Sequence, residues 1–226
     1  MKMSVVEKYI QQYFPWADPD SGERIEVYLN ELGKWNRSIN LTGIPQEDWM
    51  EKIVVESAVL LKPIMEDNAL AKPGAIWVDM GTGAGIPGLI IAALLPSQAL
   101  FLIDIKQKKI DFLSVVAAKM VLKNVIVLQS RLETISEVYP ILKGSVNVFF
   151  SRALADIDKL VEYASPLAAP DAVLISPRGR ANINNQMRVI SGNGESWSGN
   201  ICNLQIPGYN RDMTCVKLVL ESTDND

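Results

Sequence analysis

The chain opens with two stretches of helical period. From Glu23 to Asn40, the apolar residues Ile25, Tyr28, Leu29, Leu32 and Trp35 fall three or four apart among strong helix formers, which predicts an amphipathic helix. A second segment, Gln46 to Asp67, places Trp49, Ile53, Val54 and Leu60 on a stripe suited to burial. Thr42-Gly43-Ile44-Pro45 punctuates the two, and Ala71-Lys72-Pro73-Gly74 reads as a linker. From Ala75 onward the period changes. Short apolar runs at 75–80, 99–105, 124–130, 146–152 and 172–176 alternate with helical stretches, among them Lys106 to Leu122 with Ile110, Leu113, Val116, Ala117 and Met120 on one face. Such alternation predicts an α/β fold, a mostly parallel sheet with helices on both sides. Two last strands, near 202–206 and 214–220, are separated only by Pro207-Gly208 and polar residues, so they read as an antiparallel hairpin. Ser191 to Asn200 reads as a loop. The expected layout is a helical extension over residues 1–70 and an α/β domain over 71–226, its sheet having seven strands: five parallel and the terminal hairpin.

The most informative join is the first strand-to-helix turn. The apolar run Ala75-Ile76-Trp77-Val78 ends in Asp79, glycines follow at Gly81, Gly83 and Gly85, and Pro87-Gly88 opens the apolar segment Leu89 to Leu95. Glycine admits positive φ and lets a ligand approach the backbone, and proline is tolerated where a helix starts. Two ligands compete for this turn. Gly83-x-Gly85-x-x-Gly88 is a dinucleotide pattern, with a pyrophosphate at the helix N-terminus. Asp79-x-Gly81-x-Gly83-x-Gly85 resembles the first motif of S-adenosylmethionine-dependent methyltransferases. An acid two residues before Gly81 would repel a pyrophosphate, Pro87 interrupts the dinucleotide pattern, and the turn holds no basic residue; all three favour the second reading. A bare structural turn remains the simplest alternative. Asp104 ends the second strand, where a carboxylate accepts the hydroxyls of a ribose. Both cofactors carry that ribose, so Asp104 supports nucleoside binding without choosing between them.

Composition narrows the chemistry. The 226 residues contain no histidine, which excludes His-based triads, metal sites and general bases. Cys202 and Cys215 match no metal spacing and read as free thiols. The longest apolar run, Leu89 to Leu95, ends at Pro96, too short for a membrane span, and the N-terminal residues lack a signal-peptide core, so the expected location is the cytoplasm. The net charge of −4 does not suit a free-standing nucleic-acid binder, but it is unevenly spread. Residues 1–70 hold seven basic and twelve acidic side chains, whereas Asp104 to Arg131 holds six basic and two acidic, and Ala172 to Gly194 has three arginines and no acid. Such surpluses are able to face a phosphate backbone, although solvated faces are the commoner explanation.

Four segments together resemble one family, the RsmG/GidB family of bacterial 16S rRNA guanine-N7 methyltransferases. They are Lys34-Trp35-Asn36-x-x-Ile39-Asn40-Leu41-Thr42, the extended glycine motif from Asp79 to Gly88, Gln129-Ser130-Arg131-Leu132-Glu133, and Ser151-Arg152-Ala153. They occur in the family's order and cover most of the chain. The resemblance implies a class I methyltransferase fold (Rossmann-like), S-adenosyl-L-methionine as cofactor, and 16S rRNA as substrate, within the small ribosomal subunit or an assembly intermediate. It implies no metal and no membrane. By the same resemblance, Gly81 and Ile86 line the cofactor and Leu132 and Glu133 meet its adenine end; the glycine turn and the strand-end acid add Gly83 and Gly85 to the lining and have Asp79 and Asp104 orient it. Arg152 is the candidate catalytic residue, facing cofactor and RNA. Charge, not the resemblance, makes Arg178 and Arg180 candidates to hold RNA phosphates. Trp35 and Asn40 read as structural, a core aromatic and a helix-ending amide.

The chain also departs from the family. Ile53-Val54-Val55-Glu56-Ser57 replaces a segment in which many members carry a histidine, Pro177-Arg178-Gly179-Arg180 stands where Lys-Gly is usual, and the C-terminus ends acidic. These differences bear on the RNA-facing surface more than on the cofactor site. They keep open a methyltransferase of the same fold acting on a small molecule or protein, and a binding module without activity. A nicotinamide-dependent oxidoreductase is the alternative left by the glycine turn. Guanine N7 carries a lone pair and no proton, so its methylation needs no general base, which is compatible with a chain lacking histidine.

Overall fold

The computed structural model describes residues 3–65, 74–178 and 186–221. Helix α1 (Val5–Tyr13) begins at a capping box in which Ser4 and Glu7 satisfy each other's backbone N–H groups. Helix α2 (Ser21–Ile39) ends at Asn40, whose left-handed backbone (φ 47°) stops the helix as a C-terminal asparagine does. The second helical segment is not one helix. It is a 3₁₀ turn (Gln46–Asp48), a π-helical turn (Met50–Val55), and two short helices, α3 (Glu56–Val59) and α4 (Lys62–Met65). Pro63 accounts for part of the break, because it lacks the N–H that a continuous helix would use.

The α/β part alternates as its sequence period requires. In chain order it comprises β1 (Ile76–Met80), α5 (Gly88–Leu94), β2 (Ala99–Asp104), α6 (Gln107–Lys119), β3 (Val125–Gln129), α7 (Ile135–Val138), β4 (Val146–Phe150), α8 (Ile157–Ala164), β5 (Ala168–Pro177), β6 (Gln186–Ile190), β7 (Ser196–Gln205) and β8 (Asp212–Leu220). The sheet order is β3-β2-β1-β4-β5-β8-β7-β6, with β1 to β5 parallel and the last three strands antiparallel. The order reverses between β1 and β4, the switch point at which open α/β sheets bind ligands beyond their strand ends.

The sheet thus has eight strands where seven were expected. The stretch read as a loop, Ser191 to Asn200, is a tight turn followed by the first half of β7, and β6 pairs with that half. Few apolar residues mark it, because only Trp197 on that half of β7 points into the core, with its indole N–H on Ser165 Oγ at 2.9 Å. Gly199 has a packing reason. A Cβ there would lie 1.9 Å from the Lys217 carbonyl oxygen of β8.

The N-terminal helices share a core with the sheet. Ile25, Tyr28 and Leu32 of α2 belong to one buried cluster with Leu89 of α5 and Phe112, Leu113 and Val116 of α6. Glu31 of α2, itself almost fully buried, pairs with Lys119 of α6 at 2.8 Å. Of the expected linker Ala71 to Gly74, residues 71–73, and with them the boundary at residue 70, lie outside the described residues. No helix among the described residues is long and apolar enough to cross a membrane.

Candidate functional site

A cleft of about 480 Å³ lies beyond the carboxyl ends of β1 to β4. Its floor is the glycine loop after β1. Gly81, Gly83 and Gly85 all adopt positive φ (66°, 60° and 78°), which other residues take only with strain. A Cβ at Gly81 would collide with the Leu154 side chain at 2.6 Å, whereas one at Gly83 would meet only the Lys109 ammonium, at 3.5 Å, and the Gly81 carbonyl, at 3.8 Å. The backbone at Gly83 is therefore left bare to the cleft.

Asp79 holds this loop from beneath. Its Oδ2 accepts from Thr82 Oγ1 at 2.6 Å and from the Gly88 N–H at 2.9 Å, so a carboxylate already fills the start of α5. A pyrophosphate would need that same position and would meet like charge, which decides against the dinucleotide reading. Asp79 is fully buried and does not line the cleft; neither does Gly85, which packs tightly against Leu89 and Leu113. Asp79 Oδ1 has no hydrogen-bond partner among the described residues. Burial pushes the carboxyl up to about 6, even though the bonds from Thr82 and Gly88 pull it down.

Asp104 ends β2 at the rim. Its Oδ1 accepts the Lys106 N–H at 3.0 Å, and its Oδ2 accepts the Gly83 N–H at 3.0 Å and Lys109 Nζ at 3.2 Å. A carboxylate offers about four acceptor positions. One is unspent, and the flexible lysine is able to yield a second, enough for the two hydroxyls of a ribose. These residues therefore fit an adenosyl cofactor.

The rest of the wall comes from elements far apart in sequence. Leu132 and Glu133, after β3, line the cleft with Ser130 and Arg131. Tyr163 of α8 donates to Glu133 Oε1 at 3.1 Å. The Glu133 carboxyl is held below its usual value by its own backbone N–H and by Tyr163. Ile86 lines the cleft as well. The opposite wall is N-terminal: Leu41, Thr42 and Ile44. Their turn is fixed by Asn36, whose side chain both donates to the Thr42 carbonyl (3.0 Å) and accepts from its N–H (2.9 Å). Tyr28 of α2 donates to the Ala84 carbonyl at 2.9 Å and so braces the glycine loop from behind. The sequence reading did not identify Thr42, Ile44, Lys109, Leu154 or Tyr163; no periodicity could, because each reaches the cleft through the fold alone.

Arg152 also lines the cleft. Its Nη1 donates to the Lys52 carbonyl at 2.6 Å and its Nη2 pairs with Glu56 Oε2 at 2.8 Å. Ala153 follows it with a left-handed backbone (φ 53°), a strained conformation of the kind that gathers at functional sites. Arg152 also borders a second cleft of about 560 Å³, lined by Glu56, Arg178, Arg211, Asp212 and Thr214. Arg178 Nη1 donates to the Ala155 carbonyl at 2.8 Å, tying the loop after β4 to the end of β5. Its Nε and Nη2 are buried without partners among the described residues, and burial lowers its pKa. Arg180 lies outside the described residues. Among the described residues no group of acidic, histidine or cysteine side chains is arranged to hold a metal ion.

The switch-point cleft, the glycine loop and the carboxylate ending β2 define a class I S-adenosylmethionine-dependent methyltransferase. The fold is similar to that of a SAM-dependent methyltransferase from Aquifex aeolicus (TM-score 0.52, 16% identity, 84% of this chain and 98% of that one). A sequence model described as rRNA small subunit methyltransferase G matches residues 21–189, and the chain belongs to that family. Ribosomal RNA small subunit methyltransferase G of Acinetobacter baumannii is 35% identical over 156 residues, 67% of this chain and 68% of the relative. The protein of that name from Desulfitobacterium hafniense is 32% identical over 161 residues, 71% of this chain and 64% of the relative.

Proposed function

We propose that the protein transfers a methyl group from S-adenosylmethionine to N7 of a guanine in a decoding-region loop of 16S rRNA, in the cytoplasm. The observation that carries this reading is the meeting of two clefts at Arg152. One is built for an adenosyl cofactor, and the other, lined by three arginines, is open to an anionic polymer.

The cofactor supplies an electrophilic sulfonium methyl. Asp104 and the backbone at Gly83 would hold its ribose, Leu132 and Glu133 would meet its adenine end, and Gly81 and Ile86 would line it. Asp79 acts at one remove, holding Thr82 and Gly88 so that the loop keeps its shape. N7 has its own lone pair and carries no proton, so no side chain needs to take one; the neutral thioether left when the methyl goes needs none either. Catalysis is then a matter of placing two reactants within about 3–3.5 Å, and misplacement by about 1 Å costs on the order of 10²-fold. Arg152 places the base. Arg178 borders the second cleft and Arg180 follows it in sequence; both are assigned to the RNA backbone. With a net charge of −4, the chain suits a ribonucleoprotein particle better than naked RNA, because ribosomal proteins supply contacts that charge alone does not.

Tritium transfer from labelled S-adenosylmethionine to small subunits that lack this methylation, mapped by nuclease digestion, tests the reading. Label on N7 of a single guanine is expected. Arg152→Ala should lower turnover by about 10²-fold with little change in cofactor affinity. Wild-type turnover in that variant, or label appearing elsewhere, would overturn the assignment.

A further inference from the structure

Glu56 is buried at the point where the N-terminal segment meets the sheet. Its two oxygens serve two arginines. Oε2 pairs with Arg152 Nη2 at 2.8 Å, and Oε1 pairs with Arg211 Nη2 at 2.5 Å. Arg211 lies just before β8 and is held on its other side by Glu51 through Nε. Arg152 has a second anchor in the Lys52 carbonyl, which belongs to the π-helical turn Met50–Val55. Helical turns of this width recur at functional sites, where they redirect groups that a regular helix would point elsewhere. Every hydrogen bond found on the Arg152 guanidinium among the described residues therefore comes from the segment Met50–Glu56, not from the sheet that carries Arg152.

We infer that Glu56 is a positioning residue for methyl transfer, setting the orientation of Arg152 and tying it to Arg211. This rests on the methyltransferase reading above. Free in solution, an arginine side chain loses much rotamer entropy when it is placed. A buried carboxylate with both oxygens committed removes that cost before substrate arrives, since charge-assisted bonds are the strong ones. The charges facing Glu56 are Arg152 and Arg211, with Glu51 behind Arg211 and Asp212 across the second cleft. Glu51 and Glu56 balance Arg152 and Arg211 in charge, so what the clamp supplies is a fixed direction of the Arg152 guanidinium, whose N–H groups not bonded to Glu56 or Lys52 are left to meet a phosphate or the guanine O6.

The test compares Glu56→Gln, Glu56→Ala and Arg152→Ala singly and in combination. Glu56→Gln keeps shape and acceptor while removing the charge, so it remains informative if the alanine variant does not fold. Glu56→Ala should lower kcat for small-subunit methylation by about 10²-fold, the cost of a misplaced group. Cofactor affinity by calorimetry should stay within about twofold, since this site lies outside the glycine loop. In the Arg152→Ala background, removing Glu56 should change kcat by less than about twofold, because the two act as one unit. Independent losses that multiply, or wild-type kcat in Glu56→Gln, would overturn the inference. A second readout needs no turnover. The rate of phenylglyoxal addition at Arg152, followed by mass spectrometry, should rise several-fold in Glu56→Gln, while Arg24, paired with Asp18 elsewhere, stays constant. An unchanged rate at Arg152 would refute the clamp. A wild-type protein that labels no guanine, yet shows the raised rate in the variant, would sink the N7 reading and leave the clamp standing.

Discussion

Asp79 shows how burial changes what a single residue does. In sequence it is an acid beside a glycine turn, which marks it as a ligand contact. In the fold it is enclosed, bonded to Thr82 and Gly88, with its carboxyl pushed up to about 6 by burial. Between the ordinary value of 3.8 and 6 the folded chain keeps this proton and the unfolded chain has lost it. The group's contribution to stability is therefore complete below about pH 4 and disappears as pH rises through 6, on the order of 3 kcal/mol in all. Asp79→Asn does not titrate. Urea midpoints of both proteins at pH 4, 5, 6 and 7 should show the wild type gaining on the variant as pH falls; parallel curves would mean that Asp79 is not raised.

Between elements, the decisive link is α2 to the glycine loop. The helical period from Glu23 to Asn40 identified Tyr28 as core, and it is buried, but its hydroxyl also donates to the Ala84 carbonyl. Tyr28→Phe removes that donor and leaves a buried carbonyl unpaired, at a cost of about 1–3 kcal/mol. Cofactor affinity should fall with stability, because Ala84 lines the cleft. Denaturant melts and calorimetry on the variant check both effects; a loss of stability with unchanged affinity would show that the loop holds its shape unaided. Element positions were legible wherever one face is buried, as in α2, α6 and the five parallel strands. They were not legible at β6 and the start of β7. The inward residues there, Met187, Val189 and Trp197, are few and separated by a polar turn, and pairing to β8 through close approach at Gly199 supplies the order that side-chain pattern does not. The Gln46 to Asp67 segment had a helical stripe, but tertiary contacts divided it into turns of different width.

For the whole molecule, ligand choice becomes a stability difference. A ligand bound only by the folded state stabilises it by about 2.7 kcal/mol at a concentration 100 times Kd, which for a chain of this size raises Tm by about 5–10 °C. S-adenosylmethionine should produce that shift in a thermal melt. NAD should produce none, because the Asp79 carboxylate already fills the start of α5 where a pyrophosphate would bind. A shift with NAD alone would reverse the assignment of the cleft.

The sequence by itself determined the α/β alternation, the strand–glycine–helix turn and Asp104 at the rim, because these depend on local period and on residues whose backbone options are few. It also contained the segments that place the chain in its family. Only the tertiary structure decided that Asp79 braces the loop and stays out of the cleft, that Thr42 and Tyr163 help to wall it, and that Glu56 grips Arg152 from 96 residues away. Burial and long-range ion pairing are properties of proximity in space, and local sequence pattern carries no record of which distant side chains will meet.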